Sequence, residues 1–150
     1  VSSTRIRSAL AGGDLELARH NLGRPYRIFG RVAHGDERGR TIGFPTANVD
    51  LHRKVSPLRG VFAVRVAGLG PEPRNGVANI GTRPTVKGDS RYLLEVHLFD
   101  FDRAIYGEHI EVEFCRKLRD EKRFDSFEAL KQQIARDTRS ARAFFGMPVH

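Results

Sequence analysis

Apolar residues recur at every second position in six segments between residues 26 and 118. The segments are YRIFGRVAHG, TANVDL, GVFAVRVAG, NGVANIG, RYLLEVHLF and HIEVEFCRKL. Alternation with a period of two is typical of β-strands that bury one face. Glycine, proline and charged residues separate the segments, and no helical pattern intervenes. The sequence therefore predicts a mainly β fold, a six-stranded antiparallel barrel whose closure removes the exposed sheet edges.

The pattern changes to helical spacing near the C-terminus. One apolar stripe comprises Phe127, Leu130, Ile134, Ala141 and Phe145. This stripe predicts an amphipathic helix that lies against the barrel. Asp125 as N-cap and Glu128 at the third helical position match a capping box. Gly146 and Pro148 predict where the helix ends.

The first 24 residues predict two short helical pieces, SSTRIRSAL and DLELARHNLG. Little of their surface is apolar, so we interpret them as a linker and assign residues 25–150 to the main domain. A length of 150 residues fits one such domain. No segment is long and apolar enough to predict a membrane span. A single cysteine, Cys115, excludes an intrachain disulfide and favours a cytoplasmic setting. It falls in a predicted strand, where a small buried residue is expected.

The formal net charge of +8 raises the alternative of a barrel that binds single-stranded nucleic acid. Half of this excess lies in residues 1–40, where eight arginines face four acidic residues. The rest of the chain has mixed charge and no compact basic block. A basic cleft for a polyphosphate explains the balance equally well, so we expect no nucleic-acid partner.

Several common catalytic motifs are absent from the sequence. There is no GxxxxGK[ST], no GxGxxG, no HExxH and no GxSxG. The six histidines are far apart and lack the spacing of zinc ligands.

The segment GDERGRTIGFPTAN offers a candidate phosphate site. Its loop residues are Gly35, Arg38, Gly39, Arg40 and Gly43. Glycines let backbone N–H groups approach an anion, and arginines form paired hydrogen bonds to phosphate oxygens. The alternative is an ordinary glycine-rich hairpin loop.

Pro45 then precedes Thr46 and Asn48, which share one face of a short predicted strand. A hydroxyl and an amide oxygen suit Mg²⁺ when phosphate oxygens and waters complete the coordination shell. Alternatively, both side chains satisfy turn amides.

Two further stretches carry candidate chemistry. Glu95 projects from the face of its strand opposite Leu94 and Val96, where it is either a general base or a solvated carboxylate. Arg119, Arg123 and Phe124 lie in the connection between the last strand and the helix. The arginines either bind a substrate or are solvated, and Phe124 also suits a hydrophobic staple for the helix.

Four stretches together identify a family resemblance: GxxxGFPTAN, ANIGTRPT, LEVHLFDFDxxIYGxxIEVEF and LRDEKRFDSFEAL…QIxxDxxxAR. In order and spacing they resemble the riboflavin kinase module of the bacterial bifunctional riboflavin kinase/FAD synthetases, over residues 24–145. The resemblance implies a Greek-key barrel with a C-terminal helix. It also implies the conversion of ATP and riboflavin to ADP and FMN with Mg²⁺. A catalytically inactive flavin-binding barrel remains the alternative within this fold.

The resemblance also implies roles for residues. Thr46 and Asn48 match the family's metal and phosphate ligands, and Glu95 matches the glutamate that activates the ribityl 5′-hydroxyl. The loop from Gly35 to Gly43 matches a flap over the nucleotide, and Pro45 belongs to the nucleotide-binding set. Residues 118–124, with Arg119, Arg123 and Phe124, match a second flap that closes on the flavin.

Residues 1–24 resemble the end of the family's preceding adenylyltransferase module. The nucleotidyltransferase motif HxGH does not occur in this chain. We therefore expect no FAD synthesis from this chain alone.

Overall fold

The described residues form six β-strands followed by one long helix. A computed structural model describes residues 26–33, 47–50, 58–84, 90–101 and 103–148. The elements are β1 (Arg27–Ala33), β2 (Ala47–Asp50), β3 (Gly60–Ala67), β4 (Arg74–Pro84), β5 (Ser90–Leu98), β6 (His109–Arg119) and α1 (Phe127–Phe144). The helical pieces predicted before residue 25 lie outside the described residues.

The strands pair in the order β1-β2-β5-β4-β3-β6 and close into a barrel through antiparallel pairing of β6 with β1. All neighbouring strands are antiparallel. Strands β3, β4 and β5 are consecutive neighbours, whereas β2 lies beside β5, which is the order of a Greek key. The predicted six-stranded antiparallel Greek-key barrel is confirmed.

The barrel interior is filled by the buried alternate residues of all six strands. The rings of Phe62 and Phe114 meet edge to face, with 5.3 Å between their centroids. Val32, Val64 and Leu94 belong to the same apolar cluster. Every strand therefore has one face in the core, and its alternate residues project outward. On β3 these outward residues include the buried, apolar Val61 and Ala63.

The β4–β5 hairpin is longer than the alternation predicts. The predicted strand segments end at Gly81 and begin at Arg91, but Thr82 to Pro84 continue β4 and pair with Tyr92 to Ser90 of β5. Proline lacks a backbone N–H, and its position at the last pair of the hairpin ladder is where that loss matters least.

The N-terminus of α1 corrects the predicted cap. Ser126, rather than Asp125, is the N-cap, and its hydroxyl accepts a hydrogen bond from the backbone N–H of Ala129 at 3.1 Å. Glu128 is then at the second helical position, so the predicted capping box is wrong. Both Asp and Ser are good N-caps, and the choice between adjacent residues depends on where the backbone turns into the helix.

The predicted apolar stripe is correct in its C-terminal half. Ala141 and Phe145 pack with Ala63 and Phe99 in a second apolar cluster on the outer surface of the barrel. Phe127, predicted to begin the stripe, is 61% exposed.

The predicted C-terminal end of the helix is confirmed. Gly146 has a φ of +70°, and the N–H groups of Gly146 and Met147 bond to the carbonyls of Ala143 and Arg142. This is a Schellman motif, in which glycine adopts the left-handed conformation without strain.

Candidate active site

A row of polar side chains crosses three neighbouring strands on the outer surface of the barrel. Asn48 of β2 lies directly opposite Glu95 of β5, and Glu95 lies directly opposite Asn79 of β4. Directly opposite residues share one face, with Cβ atoms about 4.5–5.5 Å apart. The carboxylate of Glu95 is therefore flanked by an amide side chain on each side.

The burial pattern of β5 determines where this row faces. Leu94 and Val96 are almost fully buried in the core, so Glu95 between them points outward, as predicted. Glu95 is half-buried, whereas Asn48 is buried, with 9% of its surface exposed. A carboxylate and a buried amide are thus placed together at a partly sheltered position.

The donor set of this row fits a cation that arrives with phosphate groups. Asn48 supplies a hard amide oxygen of the kind that Mg²⁺ accepts together with phosphate oxygens and waters, and the Glu95 carboxylate lies directly beside it. In the described part of the chain, no group of three or more His, Cys, Asp or Glu side chains could hold a metal ion. Thr46, the other predicted metal ligand, lies outside the described residues.

Most of the predicted nucleotide-binding residues also lie outside the described part of the chain. These are Gly35, Arg38, Gly39, Arg40, Gly43, Pro45 and Thr46. Asn48, at the second position of β2, is the member of this set that the structure describes.

Arg119 lies at the end of β6, in register with the polar row. It is opposite Val61 of β3, which is in turn opposite Asn79. Its Nε and Nη2 atoms donate to Asp137 at 2.9 and 2.8 Å, and Nη1 donates to the carbonyl of Asp120 at 3.0 Å. Asp137 is 5% exposed. The guanidinium therefore joins the end of the barrel to the middle of α1, and its predicted contact with the flavin stays a prediction.

The connection after β6 carries the other predicted flavin-binding residues. Arg123 is exposed and Phe124 is half-buried. The guanidinium of Arg119 lies 5.8 Å from the ring centre of Phe124, and the ammonium of Lys122 lies at the same distance. The connection between β6 and α1 thus carries cationic and aromatic side chains and begins beside the polar row. The roles of Arg123 and Phe124 in flavin binding stay predictions.

The assignment of individual residues from the sequence missed Asn79, Gly81 and Glu121. The first two belong to ANIGTRPT and the third to LRDEKRF, two stretches that carried the family resemblance. Gly81 faces outward because Ile80 before it is buried in the core. A Cβ atom built on Gly81 would overlap the carboxylate of Glu121. The two family motifs indicated that these segments matter. The contact between Gly81 and Glu121, however, becomes apparent only in the three-dimensional structure.

Two ionisable groups near this end of β6 have shifted pKa values. Burial, reinforced by the Glu113 carboxylate, raises the pKa of the Cys115 thiol to about 11. Cys115 lies in β6 as predicted but is half-buried, and its thiol is neutral at physiological pH. A hydrogen bond from Lys117 lowers the pKa of Asp120, and the two groups are 2.7 Å apart.

A shallow depression of about 350 Å³ lies away from the polar row. It is lined by Phe29, Gly30, Ala67, Gly68, His109, Ile110 and Glu111. None of these residues contributes to the polar row of β2, β5 and β4.

Comparison with known proteins identifies the family of this chain. The family model described as "Flavokinase: Riboflavin kinase" matches residues 22–145. The chain belongs to the riboflavin kinase family. This riboflavin kinase domain is 60% identical to the Haemophilus influenzae bifunctional riboflavin kinase/FMN adenylyltransferase, over 97% of this chain and 47% of that protein. The Bacillus subtilis protein of the same name is 47% identical over 97% and 46% of the two chains. The domain therefore spans about half the length of these relatives.

Solved structures agree with the fold. Riboflavin kinase from Trypanosoma brucei superimposes with a TM-score of 0.58 and 25% identity, over 83% of this domain and 82% of that chain. A Streptococcus pneumoniae structure described as a macrolide-efflux protein gives a TM-score of 0.81 and 39% identity, over 91% and 45% of the two chains. Among the described residues of this domain, no helix is long and apolar enough to cross a membrane.

Proposed function

We propose that this domain transfers the γ-phosphate of ATP to the 5′-hydroxyl of riboflavin, which gives FMN and ADP. The observation that carries the proposal is the register of Glu95 between Asn48 and Asn79. The alternative of a non-catalytic flavin-binding barrel gives Glu95 no function, whereas phosphoryl transfer from ATP to an alcohol uses a carboxylate beside a metal and phosphate site.

Glu95 is the catalytic base. The 5′-oxygen of riboflavin forms a bond to the γ-phosphorus while the bond between that phosphorus and the β–γ bridging oxygen breaks. The hydroxyl proton passes to the Glu95 carboxylate, and ADP leaves with the electron pair of the broken bond. A primary alcohol is a weak acid, so a carboxylate within hydrogen-bonding distance assists as the bond forms.

Asn48 and Thr46 hold the metal and the phosphates of the nucleotide. When bound, Mg²⁺ supplies charge neutralisation for the transferring phosphoryl group. The side chain of Asn48 orients the phosphate end of ATP beside Glu95. The backbone amides of Gly35, Gly39 and Gly43, together with Arg38, Arg40 and Pro45, complete the nucleotide site.

The flavin binds between the barrel and the N-terminal half of α1. In this half, Leu130 and Ile134 are half-buried and Phe127 is exposed. None of the three belongs to either apolar cluster formed by the described residues. They offer an apolar surface for the isoalloxazine ring, which is expected in a flavin site. Arg119, Arg123 and Phe124 close this side of the site.

The partner of this domain in the complete protein is an N-terminal adenylyltransferase module. The relatives named above carry both activities in their names and are about twice as long as this chain. We assign residues 1–24 to the linker between the modules. We place the enzyme in the cytoplasm. Its ligands are the small molecules ATP and riboflavin, and it binds no nucleic acid.

Incubation of the chain with riboflavin, ATP and Mg²⁺, followed by chromatography, tests the proposal. FMN and ADP are expected in equal amounts, with no FAD. Formation of FAD would contradict the assignment of adenylylation to another module. Riboflavin binding without FMN formation would support the non-catalytic barrel, and replacement of Mg²⁺ by EDTA should abolish turnover.

A further inference from the structure

The carboxylate of Glu121 rests on the bare backbone of Gly81. A Cβ atom at position 81 would overlap both carboxylate oxygens and the carboxyl carbon of Glu121, which are the three atoms nearest to it. Gly81 does not have a positive φ. The backbone conformation therefore does not require glycine at position 81. The absence of a side chain instead leaves room for the Glu121 carboxylate.

This contact lies beside the proposed reaction centre. Gly81 and Asn79 are two residues apart on β4 and face outward, which separates them by about 6.8 Å along the strand. Gly81 is paired with Leu93, and Asn79 is paired with Glu95. Both carboxylates therefore lie near the same part of the outer surface of the barrel. Glu121 reaches it from the connection between β6 and α1, and Glu95 projects from β5.

The connection that carries Glu121 is attached at both ends. Before it, Arg119 is held by the buried Asp137 of α1. After it, the hydroxyl of Ser126 caps the helix. Because these attachments lie within a few residues on either side, the position of Glu121 is set by the barrel and the helix together.

The carboxylate of Glu121 remains available as a hydrogen-bond acceptor. Among the described residues, no hydrogen bond or ion pair of Glu121 is present, and the residue is exposed. By contrast, its neighbour Asp120 is paired with Lys117 at 2.7 Å. An ionised carboxylate accepts hydrogen bonds only, so its natural ligand is a donor such as a hydroxyl group.

We propose that Glu121, seated on Gly81, is a specificity-determining residue that accepts hydrogen bonds from the ribityl hydroxyls of riboflavin. This proposal rests on the proposed riboflavin kinase function. With the 5′-hydroxyl at Glu95, the ribityl chain runs along the outer surface from Asn79 towards Gly81, and its remaining hydroxyls meet the second carboxylate. Glu121 thereby distinguishes a polyol-bearing flavin from the ring system alone.

Equilibrium binding of two flavins tests the proposal without turnover. Riboflavin and lumiflavin, which carries a methyl group in place of the ribityl chain, are titrated with the protein while flavin fluorescence is followed. A hydrogen bond to a charged group predicts that Glu121→Ala weakens riboflavin binding by about tenfold. Lumiflavin affinity should not change. Glu72→Ala, which removes an exposed carboxylate between β3 and β4, is the matched control and should affect neither flavin.

A substitution at position 81 tests the contact itself. Gly81→Ala displaces the flexible end of Glu121 rather than backbone, so the fold should be retained, which thermal unfolding verifies. It should weaken riboflavin binding in the wild-type background and have no further effect in the Glu121→Ala background. This non-additivity is expected because both changes remove the same group.

Two results for the Glu121→Ala variant would overturn the proposal. Glu121→Ala could leave riboflavin affinity unchanged, or it could weaken lumiflavin as much as riboflavin, in which case Glu121 orders the connection instead of binding hydroxyls. If the wild-type protein binds no riboflavin, both this proposal and the kinase function are overturned. If the wild-type protein makes FMN but Glu121→Ala leaves riboflavin affinity unchanged, this proposal alone is overturned.

Discussion

Asn48 and Glu95 are 47 positions apart in the sequence and lie directly opposite each other in the β2–β5 pair. The buried amide of Asn48 and the half-buried carboxylate of Glu95 thus share one face of the barrel. This cross-strand pair joins the proposed phosphate site to the proposed catalytic base, and it determines what substitution of each residue should do.

Glu95→Gln should lower kcat by about 10²- to 10⁴-fold, the usual contribution of general-base catalysis. The amide keeps the volume of the side chain but does not accept a proton at neutral pH. Riboflavin and ATP affinities should change much less, because the interaction matters mainly in the transition state. Steady-state kinetics and equilibrium binding measure the two effects. Glu111→Gln removes an outer-face carboxylate of β6 that pairs with Arg27, and it serves as the control. Wild-type kcat in the Glu95 variant would eliminate the catalytic assignment.

Asn48→Asp should make the protein less stable in the absence of divalent cations. The substitution places two carboxylates directly opposite each other, and like charges in that arrangement repel. Mg²⁺ should restore part of the loss, because a ligand that binds the folded state stabilises it by mass action. Thermal unfolding with EDTA and with Mg²⁺ measures both effects. Asn79→Asp, on the opposite side of Glu95, is the matched control and should be rescued less. Equal rescue of both variants would argue against a cation site on the Asn48 side.

Asp137→Asn should lower the free energy of unfolding by about 3–5 kcal/mol, because it leaves the guanidinium of Arg119 without its buried counter-ion. Urea unfolding monitored by circular dichroism measures this change. Asp120→Asn, which removes an exposed carboxylate paired with Lys117, should leave the unfolding midpoint nearly unchanged. Similar midpoints for the two variants would show that the Arg119–Asp137 pair does not hold the barrel to α1.

The Cys115 thiol should make folding stability fall between about pH 9 and pH 11. Its pKa rises from the ordinary value of 9.0 to about 11 in the folded protein, because burial and the Glu113 carboxylate disfavour the thiolate. Above pH 9 the unfolded chain releases this proton more readily, so the unfolded state gains stability as pH rises. The thiolate absorbance of the folded protein should accordingly appear near pH 11. Cys115→Ser removes this contribution, and an identical pH dependence in the variant would refute it.

Ser126→Ala should destabilise the protein by about 1 kcal/mol, since it removes the N-cap of α1. Asp125→Ala should have a smaller effect, because the hydroxyl of Ser126 makes the capping bond to Ala129. Denaturant unfolding of the two single variants compares them directly. A larger loss for Asp125→Ala would restore Asp125 as the cap.

The sequence alone determined the number and type of the described elements and the face of β5 on which Glu95 lies. The alternation of Leu94, Glu95 and Val96 was sufficient to place Glu95 outside the core, because successive side chains of a strand point to opposite faces. The position of Gly146 was sufficient to end α1, because glycine adopts the left-handed conformation of the Schellman motif without strain. The four family motifs determined the family because their order and spacing are specific.

Only the tertiary structure decided which elements meet. Alternation is the same in every strand, so it does not encode that β2 lies beside β5 and brings Asn48 opposite Glu95. It also does not encode the seat of Glu121 on Gly81 or the pairing of Arg119 with Asp137, because both contacts join elements that only long-range packing brings together. The choice of Ser126 over Asp125 has the same cause. Both residues suit an N-cap, and the path of the backbone from the barrel into the helix selects one of them.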